Sequence, residues 1–128
     1  MIVSNSGDGL TRTVDGSSGQ AEWRCLGRRG MLFSECESFD FVRLAPGAVV
    51  DERGRDDIEE AWFVLRGSAE FIDDGKDPLL AGEGDVVLCS HAASGQWRNA
   101  GDSPLEMLFL ALMPASVSRR LPTRTPSD

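Results

Sequence analysis

The chain reads as an all-β protein, a sandwich or barrel of short strands, and three observations predict it. Runs of roughly four to eight residues rich in Val, Ile, Phe and Trp recur along most of the 128 residues, and such residues suit a pleated, half-buried surface. Turn signals separate the runs, among them Pro46-Gly47, Arg66-Gly67, Asp74-Gly75 and Gly82-Glu83-Gly84. No stretch places apolar residues at the spacing of an amphipathic helix.

Taken in order, residues 1 to 20 are rich in Gly, Ser and Asp with little periodicity. They are either disordered or an extra edge strand that adds to a partner subunit. Gln20 to Leu26 alternates around Ala21, Trp23 and Cys25 and reads as a strand, closed by the turn Gly27-Arg28-Arg29-Gly30. Met31 to Ser34 and Phe39 to Leu44 read as two more, parted by a polar break at Glu35-Cys36-Glu37-Ser38. After Pro46-Gly47 comes a charge-dense segment and then the strand Glu60 to Leu65. On period two, Glu60, Trp62 and Val64 share one face, and Ala61, Phe63 and Leu65 the other. Both faces carry bulky apolar groups, so the acidic residue is at a mouth or lines a cavity.

Ser68 to Ile72, Pro78 to Leu80, Val86 to Cys89, Gln96 to Asn99 and Leu105 to Met113 complete the strand set. Asp74-Gly75 is a strong hairpin signal between the first two of these. The expected organisation is an N-terminal segment at 1–20, a barrel at 21–113 and a tail without fixed structure at 114–128.

Composition excludes several function classes. The formal net charge is −8 with 13 basic residues, which argues against nucleic acid and anionic membrane as partners. No apolar run approaches the ~20 residues that cross a bilayer. The N-terminus lacks a basic region followed by an apolar one, so the expected location is cytoplasmic. The three cysteines, Cys25, Cys36 and Cys89, show no C-x-x-C spacing and read as reduced, buried thiols. There is one histidine and no tyrosine.

The segment Pro46 to Gly67 resembles the first motif of the cupin superfamily, G-x5-H-x-H-x(3–4)-E-x6-G. Gly47, Glu60 and Gly67 stand in register, and Arg53 and Arg55 occupy the two histidine positions. The second motif, G-x5-P-x-G-x2-H-x3-N, aligns with Gly84 to Asn99 and keeps those two end residues. Ser90 replaces its proline, Ala92 its glycine and Gly95 its histidine. The resemblance implies a double-stranded β-helix, or jelly-roll, barrel, and a homodimer formed through the N-terminal strands.

It usually also implies a metal held by three histidines and a glutamate. Of those four positions only Glu60 remains. Arginine stays protonated and offers no lone pair, so no metal and no other cofactor is expected. Gly95 in place of a histidine leaves room for an occupied pocket. The candidate catalytic residues are Glu60, inside the barrel by register, and His91, on the turn into the second-motif strand. The candidate substrate-binding residues are Arg53, Arg55, Trp62, Trp97 and Asn99. Glu60 is either half of a structural ion pair with Arg53 or Arg55, or a general acid or base beside arginines that hold an anion.

Three function classes follow. The first is a metal-independent enzyme acting on a small polar or aromatic metabolite by acid–base chemistry, as an isomerase, cyclase or dehydratase, in a biosynthetic setting. The second is a small-molecule-binding protein without catalysis, a sensor or accessory subunit. The third is a metal enzyme with an atypical carboxylate site.

Overall fold

A computed structural model describes residues 11–16, 19–29, 36–51, 58–73, 76–89, 95–114, 116 and 120. Ten strands are described: β1 (Thr11–Gly16), β2 (Gly19–Arg28), β3 (Cys36–Leu44), β4 (Val49–Asp51), β5 (Glu59–Arg66), β6 (Ala69–Ile72), β7 (Leu79–Ala81), β8 (Val86–Cys89), β9 (Gln96–Asn99) and β10 (Leu105–Leu112). They form a six-stranded sheet in the order β1-β2-β3-β10-β5-β8 and a four-stranded sheet in the order β4-β9-β6-β7. Each described pairing is antiparallel. The architecture is a jelly-roll barrel.

Strand alternation places the core between the sheets. Val42 and Leu44 of β3, Met107 of β10 and Val64 of β5 are fully buried, and Trp97 of β9 meets them from the smaller sheet. Gly67 closes β5 at a φ of 95°, and a Cβ there would lie 3.0 Å from the Pro104 carbonyl oxygen. Glycine is needed on both counts, because L side chains disfavour that φ and the β9–β10 turn packs against the bare Cα.

Three elements differ from expectation. β1 is a strand, and it pairs with β2 of its own chain, from Thr11 opposite Arg24 to Gly16 opposite Gly19. β4 is too short, at three residues, to stand out from the charged segment that follows it. The polar break expected at 35–38 is instead, from Cys36 on, the first half of a nine-residue β3. Polar residues can sit there because they are partnered: Glu37 is 1% exposed and lies 3.1 Å from Arg29 Nη1. The strand expected at Met31 to Ser34 and the tip of the Asp74-Gly75 turn lie outside the described residues. β6 and β7 do pair as the arms of that hairpin.

Candidate functional site

The site is built on the inward face of β5. Glu60 is 6% exposed and Trp62 1%. Across the sheet Glu60 is flanked by Ala111 of β10 and Cys89 of β8, and Trp62 by Phe109 and Val87. Ala111 is small, which leaves the carboxylate beside it without a bulky lateral neighbour on that side. Trp62 Nε1 donates to Glu60 Oε2 at 3.3 Å, a long bond for an N–H facing a carboxylate. Among the described residues this is the only hydrogen bond to Glu60, and no guanidinium or ammonium pairs with it.

Beneath Glu60 the barrel is filled with aromatic rings in one continuous series. Trp62 packs on Phe109 at 4.4 Å between centroids and on Trp97 at 5.5 Å, and Trp97 on Phe71 at 5.0 Å. Trp23 meets Trp62 edge-on at 5.9 Å and Phe109 at 5.6 Å. Such pairs contribute about 0.5–1.5 kcal/mol each beyond their burial, so the rings make a rigid floor. One group in that floor is left over. Trp97 is fully buried, and its Nε1 has no hydrogen-bond partner among the described residues.

Sequence reasoning missed another buried, inward carboxylate, in the cross-strand row of Trp62 and Phe109. Asp40, 2% exposed, lies opposite Phe109 on one side and Cys25 on the other. Its Oδ2 accepts from Trp23 Nε1 at 2.8 Å, and Arg28 Nη1 donates to its Oδ1 and to the Gly27 carbonyl oxygen. Burial pushes the Cys25 thiol up from its ordinary pKa, with Arg28 opposing the rise and Asp40 adding to it. Cys36 is pushed up as well, by burial first and then by Asp40 and Glu37. Both thiols are therefore poor nucleophiles at neutral pH. A signal was present, since Asp40 shares the inward register of Val42 and Leu44 just as Glu60 shares that of Trp62 and Val64.

The other sequence candidates divide clearly. Trp62 and Trp97 are brought together with Glu60. Asn99 is also buried, but its Nδ2 donates to the Leu44 and Ser103 carbonyl oxygens at 3.0 and 2.8 Å, and its Oδ1 accepts from Gly101 N at 2.9 Å. With its polar atoms on backbone groups, Asn99 staples β9 to β3 and to the following turn. Arg53, Arg55 and His91 lie outside the described residues; they belong to the β4–β5 and β8–β9 connections. Both connections join strands at the Glu60 end of the barrel, since Cys89 ends β8 opposite Glu60. A surface groove of about 280 Å³, lined by Gln20, Glu22, Arg43, Ala45, Pro46 and Pro104, belongs to the far ends of β2 and β3.

The room expected beside Gly95 is taken. A Cβ on Gly95 would stand 2.6 Å from Phe71 Cζ and 2.6 Å from the Ile72 carbonyl oxygen. Phe71 and the Ile72 carbonyl group fill the space beside the Gly95 Cα. By motif position the usual metal set has no match here, because Glu60, Arg53, Arg55 and a glycine under a phenyl ring do not supply its ligands.

The cupin domain family model, Cupin_2, matches residues 40–111, more than half of the chain. The chain belongs to the cupin family. This cupin is 28% identical over 99 residues to a protein of Thermotoga maritima named oxalate-binding protein, covering 77% of this chain and 80% of that one. Among solved structures it resembles one described as a predicted oxalate decarboxylase of Thermotoga maritima. The TM-score is 0.79 and the identity 23%, over 88% of this cupin and all of that chain. It also resembles a sugar phosphate isomerase of the cupin superfamily from Silicibacter pomeroyi, with a TM-score of 0.70 and 21% identity over 88% of this chain and 76% of that one. At those identities the structural likenesses establish the fold.

Proposed function

We propose that this cupin is a metal-independent enzyme that acts on a small polar or aromatic metabolite by acid–base chemistry, with Glu60 as the proton-transfer group. The observation that carries the reading is the state of Glu60. It is a buried carboxylate above an aromatic floor, held by one 3.3 Å bond and by no cation among the described residues. Burying a carboxylate with so little compensation costs stability, which supports a functional reason for it.

In this reading Glu60 takes a proton from a carbon next to a carbonyl or imine and returns it to a neighbouring atom, so that no oxidant or reductant is consumed. Trp62 steers the carboxylate, and Trp97 Nε1 is the buried donor available to an oxygen of the ligand. Arg53 and Arg55 hold an anionic group and His91 is the second proton carrier. The printed names of two relatives, an oxalate-binding protein and a sugar phosphate isomerase, support an anionic ligand class.

A second reading, binding without catalysis, draws support from the tightly packed floor and from the relative named for oxalate binding. One experiment separates the two. Small carboxylates and sugar phosphates are titrated by calorimetry, and those that bind are followed by NMR in D2O for deuterium entering carbon positions. The acid–base reading expects exchange with the wild type and a loss of ~10²–10⁴ in rate with Glu60→Gln, which keeps the shape and removes proton transfer. A ligand that binds tightly and exchanges no proton leaves the binding reading in place.

A further inference from the structure

Ser38 belongs to the segment that reads as a polar break in the sequence, and the chemistry assigned to Glu60 makes no use of it. It is 7% exposed, and its hydroxyl makes no hydrogen bond to a described residue. A buried hydroxyl left without a partner costs stability and calls for an explanation.

The strand register puts this hydroxyl in line with Glu60. Arg28, Ser38, Ala111, Glu60 and Cys89 are successive partners across β2, β3, β10, β5 and β8, and direct antiparallel partners project from the same face. Ser38 shares the inward register of Asp40 and Val42, and Ala111 that of Phe109. The two smallest side chains of the row thus stand between Arg28 and Glu60. The neighbouring row carries Asp40, Phe109 and Trp62. Arg28 donates to Asp40, so a carboxylate already offsets its charge on that flank.

We propose that Ser38 is a specificity-determining residue of the Glu60 site and receives an uncharged hydroxyl of the ligand. The assignment rests on Glu60 as the group that meets the reacting carbon. A serine hydroxyl both donates and accepts, which suits a ligand hydroxyl that does the same. The paired Arg28 and Asp40 beside it favour such a neutral group over a second anion. Distance sets where that hydroxyl stands on the ligand. Two strand spacings of ~4.8 Å put Ser38 and Glu60 about 10 Å apart. Contacts of ~3 Å at each end leave ~4 Å of ligand between them, the span of about three bonds. The ligand class is therefore a short hydroxy acid or hydroxycarbonyl compound, with its hydroxyl about three bonds from the carbon that faces Glu60.

Calorimetry on the full chain with 4-hydroxybutanoate and butanoate tests it. The two acids differ only in a hydroxyl three bonds from the carbon beside the carboxylate. Wild type should bind the hydroxy acid about fivefold to tenfold more tightly. Ser38→Ala should bring the two to equal affinity and leave butanoate binding as it is in wild type. The variant should also keep the urea midpoint, because it removes an unsatisfied hydroxyl. A serine with a structural role alone would lower that midpoint and leave the preference standing. Equal affinity of wild type for the two acids, binding of neither at millimolar concentration, or a preference that survives Ser38→Ala overturns the proposal. A preference lost in Ser38→Ala, with no deuterium exchange in any ligand that binds, upholds Ser38 as the hydroxyl contact and removes only proton transfer from Glu60.

Discussion

At the scale of single residues, two positions decide how the barrel interior is used. Gly95 stands where the family motif has a histidine, and Phe71 has filled the gap down to 2.6 Å from where a Cβ would be. The Ile72 carbonyl oxygen, at the same distance, is backbone and cannot swing away. Gly95→Ala should therefore cost about 1–3 kcal/mol in urea unfolding; a stability equal to wild type would mean that Phe71 does not occupy that space. Trp97 carries the opposite imbalance, a buried N–H without an acceptor among the described residues, which costs about 1–3 kcal/mol. If that N–H serves the ligand, Trp97→Phe leaves stability nearly unchanged, because relief of the orphan donor offsets the lost ring area. Affinity for any ligand that binds wild type should drop about fivefold to tenfold. Calorimetry on the variant checks it, and equal affinity removes Trp97 Nε1 from the ligand's partners.

At the scale of elements, the strands were legible wherever turn chemistry and alternation agreed, as in β5, β8, β9 and β10. β3 was not read whole, because Cys36, Glu37 and Ser38 look like a loop until Arg28 and Arg29 are known to stand across from them. Those arginines were themselves read as part of a turn. These buried ion pairs join residues that meet only once β2 and β3 pair, and no local pattern announces them. The same fact makes β3 sensitive. Asp40→Ala removes the carboxylate to which both Arg28, whose side chain is only 19% exposed, and Trp23 Nε1 donate. Removing one partner of a buried pair costs ~3–5 kcal/mol, and that loss should appear in chemical unfolding. A loss below 1 kcal/mol would indicate that the pair is solvated. Of the site itself, Glu60, Trp62 and Trp97 could be placed by register alone, and the structure brings them together. Asn99 was legible as a motif residue but not as a backbone staple, because its partners Leu44 and Ser103 come together only in the folded barrel.

At the scale of the whole molecule, this is a cupin barrel whose interior holds aromatic rings and two carboxylates in inward register, Asp40 and Glu60, while a third buried carboxylate, Glu37, pairs with Arg29. One carboxylate, Asp40, is partnered by arginine and tryptophan. The other, Glu60, has Trp62 Nε1 as its one hydrogen-bond partner among the described residues. That difference is the basis for assigning structure to one and chemistry to the other. We propose that this chemistry needs no metal, since Arg53, Arg55 and Gly95 occupy the ligand positions of the family's motifs in the sequence. The most direct measurement is the rate at which protein dialysed against EDTA catalyses deuterium entry into a bound ligand, with metal content determined on the same sample. The account predicts an undiminished rate at far less than one equivalent of Fe, Mn, Ni or Zn. A rate that falls to background after dialysis and returns when one of those ions is added back would contradict it.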